Sequence, residues 1–184
     1  MDLLHQIIER AKSDKQRIVL PEASEDRTLR AADRALADEI ADIILIGNPS
    51  EIHKLAEARG LVNIDKATII DPQDNPNSEE LAQLLAELRK KKGMTLAQAR
   101  ELVKNNLYLG CMLIKTNRAD GQVSGALSTT GETLRPALQI IKCEPGVTCI
   151  SGAMLLVTDQ KEYGEDGVVV MGDGVDSGEW STGV

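Results

Sequence analysis

The sequence predicts an α/β fold: a mostly parallel sheet with helices on both faces. Three observations carry that expectation. Short apolar runs of strand length alternate with segments of helical period from the amino terminus to Ile70. The connections between them are short and rich in proline, glycine and asparagine. The runs are apolar at consecutive positions, as strands covered on both faces are.

In chain order, Asp2 is placed to cap a helix whose apolar residues Leu3, Leu4, Ile7, Ile8 and Ala11 recur at helical spacing. Arg17-Ile18-Val19-Leu20 is a short buried strand stopped by Pro21. Residues 25–38 return to helix, with Leu29, Ala32 and Leu36 on one face. Asp42-Ile43-Ile44-Leu45-Ile46-Gly47 reads as a second strand. Asn48-Pro49-Ser50 opens a helix to about Arg59, and Ala67-Thr68-Ile69-Ile70 is a third strand ended by Asp71-Pro72. A polar loop leads to a charged helix from Ser78 to Lys92, closed by Gly93. Thr95-Leu96-Ala97-Gln98 is a capping-box pattern. Asn105-Asn106 interrupts before an apolar helix to Lys115. Gly121 to Gly125 is a short strand and turn. Thr129 to Lys142 reads as helix, with Pro136 tolerable only near its first turns. Glu144-Pro145-Gly146 is a turn and candidate hinge. Val147 to Val157 is a long strand, joined at Asp166-Gly167 to a strand over Val168–Met171. The stretch from Gly172 to Val184 is Gly-rich, polar and without period, so a flexible tail is expected.

Composition bounds the function. The 184 residues include two Tyr, one Trp and no Phe, and a net charge of −8. Few aromatics exclude base stacking as a binding mode, and the acidic balance opposes nucleic acid or anionic membrane as partners. No run reaches membrane-spanning length, and the start lacks a secretion signal. The three cysteines form no CxxC pair, which places the chain in a reducing cytoplasm. No His/Cys spacing suits a metal.

The segment Ser124 to Pro136 carries most chemistry. Its glycines and hydroxyls end a strand and open a helix, where free N–H groups attract anions. Ser128, Thr129 and Thr130 add hydroxyls, and Arg135 adds a planar cation that matches phosphate. The same Thr129-x-x-Glu132 spacing also makes an ordinary capping box, so both readings stand. Glu87 to Gly93 contains Arg89 and Lys90-Lys91-Lys92: either a solvated helix end or an anion site. Glu22, Glu25 and Asp26 follow the first strand at the edge where α/β ligands bind, or simply form a surface loop. Cys111, in an apolar helix, reads as packing.

These stretches together resemble the phosphate acetyl/butyryltransferase family. The matching segments are Arg17 to Glu22 with Glu25 to Ala32, Glu87 to Met94, Ala119 to Gly121 with Val123 to Ala126, Thr129-Thr130, Leu134 to Lys142, Pro145-Gly146 and Tyr163 to Gly167. The resemblance spans about residues 2 to 172. It implies reversible acetyl transfer between acetyl phosphate and coenzyme A, by direct attack of the thiol and without an acyl-enzyme. CoA would be a substrate, with no bound cofactor, and homodimers are expected. Arg135 corresponds to the active-site arginine of the Leu-Arg-Pro motif. Arg89 corresponds to an arginine contacting CoA or phosphate, and Ser128, Thr129 and Thr130 to the hydroxyl-rich turn near phosphate. The implied fold is isocitrate/isopropylmalate dehydrogenase-like, with the second domain incomplete: residues 1–145 as the first domain, 146–171 as the start of the second, 172–184 as a divergent tail.

Family members continue past Gly172-Asp173 with the rest of the second domain, so a truncation or reading-frame shift near there is expected, with loss of the base that deprotonates the thiol and impaired turnover. The alternatives are a non-catalytic phosphate- or CoA-binding or dimerisation module, the butyryl-transferring branch of the family, or another phosphate-ester enzyme on the same sheet.

Overall fold

A computed structural model describes residues 3–147 and 149–176. The expected cap at Asp2 and residues 177–184 of the expected tail lie outside the described residues. The chain forms two units, Met1–Ile141 and Lys142–Val184.

The first unit is a four-stranded parallel sheet. Its strands are β1 (Arg17–Leu20), β2 (Asp42–Ile46), β3 (Thr68–Ile70) and β4 (Gly121–Gln122), in spatial order β3-β2-β1-β4. Arg17 lies beside Asp42, Ile44 beside Thr68, and Ile18 beside Gly121. The consecutive apolar residues of each strand divide between two cores because side chains alternate faces. Val19, Ile44 and Ile46 join one core with Leu81, Leu85, Leu109 and Met112. Leu20, Ile43 and Leu45 join the other with Leu29, Leu36 and Ile52. The sheet is thus covered on both sides, as its apolar runs require.

The helices are α1 (Leu3–Ser13), α2 (Asp26–Ala37), α3 (Pro49–Arg59), α4 (Ser78–Arg89), α5 (Leu96–Leu102), α6 (Asn106–Lys115) and α7 (Thr130–Pro136). Local chemistry sets their starts. The Glu25 side chain accepts from the Thr28 N–H, Asn48 from Glu51, and Asn105 from Leu107 and Tyr108. Thr95–Gln98 and Thr129–Glu132 both form complete capping boxes. Gly60 and Gly93 close α3 and the turn after α4 at positive φ. The helix expected from Thr129 to Lys142 stops sooner. Pro136 has no N–H to continue the ladder, and a π-helical turn follows over Ala137–Ile141. On α1 the predicted apolar stripe is present, but Leu4, Ile7 and Ile8 are exposed.

The direction of strand addition reverses between β1 and β4. Arg17 pins that junction at its amino end: Nε donates to Asp120 Oδ2 at 2.9 Å and Nη2 to Oδ1 at 2.7 Å. The carboxyl ends of β1 and β4 form the topological switch point, the usual ligand edge of an open α/β sheet.

The second unit contains a turn and a hairpin. The Val147 N–H donates to the Glu144 carbonyl at 3.0 Å, with Gly146 at φ +88°. Strand β5 (Cys149–Val157) pairs antiparallel with β6 (Val168–Asp176). Asp166-Gly167 is a tight turn with both residues at positive φ, but it joins Glu165 to Val168. The strand partner of Val168 is Val157, so the connection between β5 and β6 covers residues 158–167. Strand β6 also runs on to Asp176, into the stretch expected as a tail. Backbone pairing does not need apolar periodicity there.

Candidate functional site

At the switch point β1 runs out into Pro21 and Glu22, and β4 into Val123 and Ser124. The Glu22 side chain is the buried charged one among the described residues, at 7% exposure. Its Oε2 accepts from the N–H groups of Gly125 and Ala126, each at 2.8 Å. Its Oε1 accepts from Leu127 at 2.9 Å and Ser128 at 2.7 Å. Gly125 has φ +114°, a conformation glycine adopts without strain and which lets these donors converge. Burial alone would raise the Glu22 carboxyl. Hydrogen bonds from Ser128, Leu127, Ala126 and Gly125 outweigh it and bring the group down to about 2. Arg27 holds the other side of the loop, with Nε on Glu25 Oε1 at 2.7 Å and Nη2 on the Ala126 carbonyl at 3.1 Å.

This arrangement assigns the donors that the sequence left open. The N–H groups of residues 125–128 are occupied from within, by Glu22. The Thr129 N–H goes to Glu132 Oε2 at 2.8 Å, and the Glu132 N–H to Thr129 Oγ1 at 3.3 Å. Ser128 and Thr129 therefore serve the loop and the cap. Thr130 is exposed in the first turn of α7. A helix this short, already capped, offers no strong dipole to a ligand.

The two arginines behave differently. The chain has ten arginines. Arg17, Arg27, Arg30, Arg34, Arg59, Arg100 and Arg118 each pair with a carboxylate. Among the described residues Arg89 and Arg135 do not, and neither does Arg10 on α1. Arg89 ends α4, and its Nε is buried without a hydrogen-bond partner. Arg135 lies in the last turn of α7 and is exposed. Both act on one phenol, Tyr108, in the first turns of α6. Burial pushes the Tyr108 hydroxyl above its ordinary value, while the charges of Arg135 and Arg89 pull it down. That hydroxyl donates to Gln139 Oε1 at 3.1 Å. The π-helical turn after Pro136 carries Gln139, so that turn is bonded to α6 at the side chain on which Arg89, at the end of α4, acts by charge.

Two guanidiniums outside any ion pair among the described residues, with only Glu132 acting on Arg135 by charge, have the chemistry to hold an anion. An unpaired buried N–H such as Arg89 Nε costs about 1–3 kcal/mol unless a water or a ligand satisfies it. Sequence reasoning singled out Arg89 and Arg135 but not the phenol on which both charges act. Tyr108 was hidden in an apolar helix, and Gln139 in a segment read as continuous helix. Glu22 stood among surface acids; only its position just after a strand at the ligand edge set it apart.

Other features lie away from this pair. A cavity of about 590 Å³ borders Arg17, Asp42 and Thr68, at the amino ends of β1 to β3. Another, of about 290 Å³, opens at the carboxyl ends of β2 and β3, beside Gly47, Asn48, Asp71 and Asn106. Burial pushes the Cys111 thiol up to about 12, so it is inert packing. Among the described residues no cluster of His, Cys, Asp and Glu is arranged to hold a metal, and no helix is long and apolar enough to cross a membrane.

Comparison with known proteins gives a consistent result. A family model described as phosphate acetyl/butaryl transferase matches residues 2–175. The chain is 46% identical over 173 residues to a phosphate acetyltransferase of Thermoanaerobacterium thermosaccharolyticum, covering 94% of this chain and 52% of that protein. It is 45% identical over 173 residues to one from Acetivibrio thermocellus, covering 94% of this chain and 51% of that protein. A solved phosphotransacetylase from Streptococcus pyogenes superposes with a TM-score of 0.82 at 31% identity, over 92% of this chain and 51% of that one. The chain spans about half the length of the curated relatives it matches.

Proposed function

The chain belongs to the phosphate acetyl/butaryl transferase family, and from that premise we propose that it carries the anion-binding part of an enzyme that moves an acetyl group between acetyl phosphate and coenzyme A. The observation that carries this reading is the pair Arg89 and Arg135, unpaired with carboxylates and both acting on Tyr108.

In the proposed reaction the CoA sulfur loses its proton and bonds to the acetyl carbonyl carbon. The carbon–oxygen bond to phosphate then breaks, and phosphate departs. Charge moves from the thiolate through the carbonyl oxygen to the leaving phosphate. Arg135, with an exposed fork, is assigned to the phosphoryl oxygens, where donors matter most as charge develops. Arg89 is assigned to a second anionic group, of phosphate or of CoA. Thr130 offers a further hydroxyl. Ser128 and Thr129 act through the backbone they hold. A free thiol, with pKa near roughly 8.5, also needs a base. Acetyl phosphate, phosphate and CoA are the substrates in this reading, without a bound cofactor, and a cytoplasmic homodimer is its setting. Residues 1–145 form the first α/β domain and residues 146–171 begin the second.

The test is direct. Calorimetry of the 184-residue chain with inorganic phosphate and with CoA should show binding that Arg89→Ala and Arg135→Ala each weaken. A parallel assay follows acetyl-CoA formation from acetyl phosphate and CoA. A folded chain that binds neither ligand overturns the proposal.

A further inference from the structure

We propose that Glu22 is a positioning residue for this anion site: by gathering the N–H groups of residues 125–128, it sets the entry of α7 and thereby the place of Arg135. The inference rests on the reading that Arg135 binds a phosphoryl group.

The covalent path is short and fully bonded. Glu22 fixes the Ser128 N–H at 2.7 Å. The next residue, Thr129, caps α7 through Glu132. Less than two helical turns later comes Arg135. No residue from Gly125 to Thr129 has a free choice of backbone conformation, because each N–H is held. Arg135 makes no ion pair among the described residues, so the position of its helix decides where its charge lies. Arg27 completes the clamp on the opposite edge of the loop, at the Ala126 carbonyl.

The chemistry demands a carboxylate. Each of its oxygens takes two donors, which uses both acceptors fully. An amide in its place has one acceptor oxygen and turns an NH₂ toward two N–H donors. Glu22→Gln is therefore nearly isosteric but cannot hold the loop. A carboxylate at the switch point also leaves the main-chain donors unavailable to the ligand. Anion binding then falls to side chains, and their aim depends on the clamp.

The experiment uses the full 184-residue chain with Glu22→Gln, Arg135→Ala, the double variant and Arg27→Ala. Inorganic phosphate and CoA are titrated by calorimetry, and amide hydrogen exchange is followed at residues 125–128. Glu22→Gln should stay folded by circular dichroism and keep exchange protection in β1, β2, α4 and α6. It should lose protection at residues 125–128 and bind phosphate about tenfold more weakly. The double variant should bind no more weakly than Arg135→Ala alone, because Glu22 acts through that arginine. A folded Glu22→Gln chain with unchanged phosphate affinity overturns the proposal, as do losses that simply add in the double variant. If Glu22→Gln does not fold, Arg27→Ala loosens the same loop from its exposed side, and an unchanged affinity there overturns the proposal. If the unmodified chain binds neither phosphate nor CoA, the functional reading fails by itself. The clamp is then judged by exchange alone: retained protection at 125–128 in Glu22→Gln overturns it.

Discussion

Removing the Arg135 guanidinium takes away an exposed permanent cation whose charge reaches Glu132 but which forms no ion pair among the described residues. Arg135→Ala should weaken phosphate-bearing ligands by about 1.5–3 kcal/mol, the range for a charge-assisted contact, while leaving the melting temperature nearly unchanged because the side chain is exposed. Calorimetry and a thermal melt separate the two. Glu22 predicts the opposite balance. Its folded pKa is about 2, below the value near 4.3 of an unfolded glutamate. Its stabilisation is therefore fully present above the unfolded value and is lost as pH falls toward 2. The stability difference between the unmodified chain and Glu22→Gln should be constant from pH 6 to 8, by order-of-magnitude linkage reasoning, and should shrink below about pH 4.5. A difference that grows on acidification would refute the assignment.

At the scale of elements, Gly110 of α6 faces the sheet where β1 and β4 lie side by side. A Cβ at Gly110 would overlap Gln122 Oε1 and lie 3.2 Å from Val19 Cγ1. Gly110→Ala should lower stability by about 1–3 kcal/mol, as overpacking does. Adding Gln122→Ala should recover part of that loss, leaving the Val19 contact. Urea unfolding of the single and double variants measures both, and a stable Gly110→Ala would mean that α6 can retreat freely. The junction of β1 with β4 depends on Asp120, which accepts from both the Arg17 N–H and its guanidinium. These bonds hold the Asp120 carboxyl at about 2. Asp120→Asn should therefore speed amide exchange at Val123, whose N–H donates to the Val19 carbonyl, while exchange within β2 stays slow.

At the scale of the molecule, the two units differ in what supports them. The sheet of the first unit has a core on each face. The hairpin of the second leaves Met154, Leu155, Leu156, Val170 and Met171 exposed. Consecutive apolar residues on a strand occupy both of its faces, and a lone two-stranded sheet is marginal in water. Hydrogen exchange should thus be faster by orders of magnitude at Leu155 and Val170 than at Val19 and Leu45. Equal protection in the two units would show that the hairpin faces are covered in solution.

Much of this protein was determined by sequence alone. Ile43 to Ile46 had to be a strand covered on both sides, because four consecutive apolar residues cannot all face one core. Asn48, Thr95, Asn105 and Thr129 marked helix starts, because capping is a local hydrogen bond between residues two or three apart. The arginines of the site were legible as cations in helices. Tertiary structure alone decided which donors were already taken. Glu22 reaches the Ser128 N–H across more than a hundred positions of chain, and no local pattern announces that bond. The same holds for Arg89 and Arg135, which acquire a common neighbour in Tyr108 only when α4, α6 and α7 pack. Spacing along the chain governs bonds within a turn or two; which distant group satisfies a buried donor, or leaves a cation unpaired, is settled by packing.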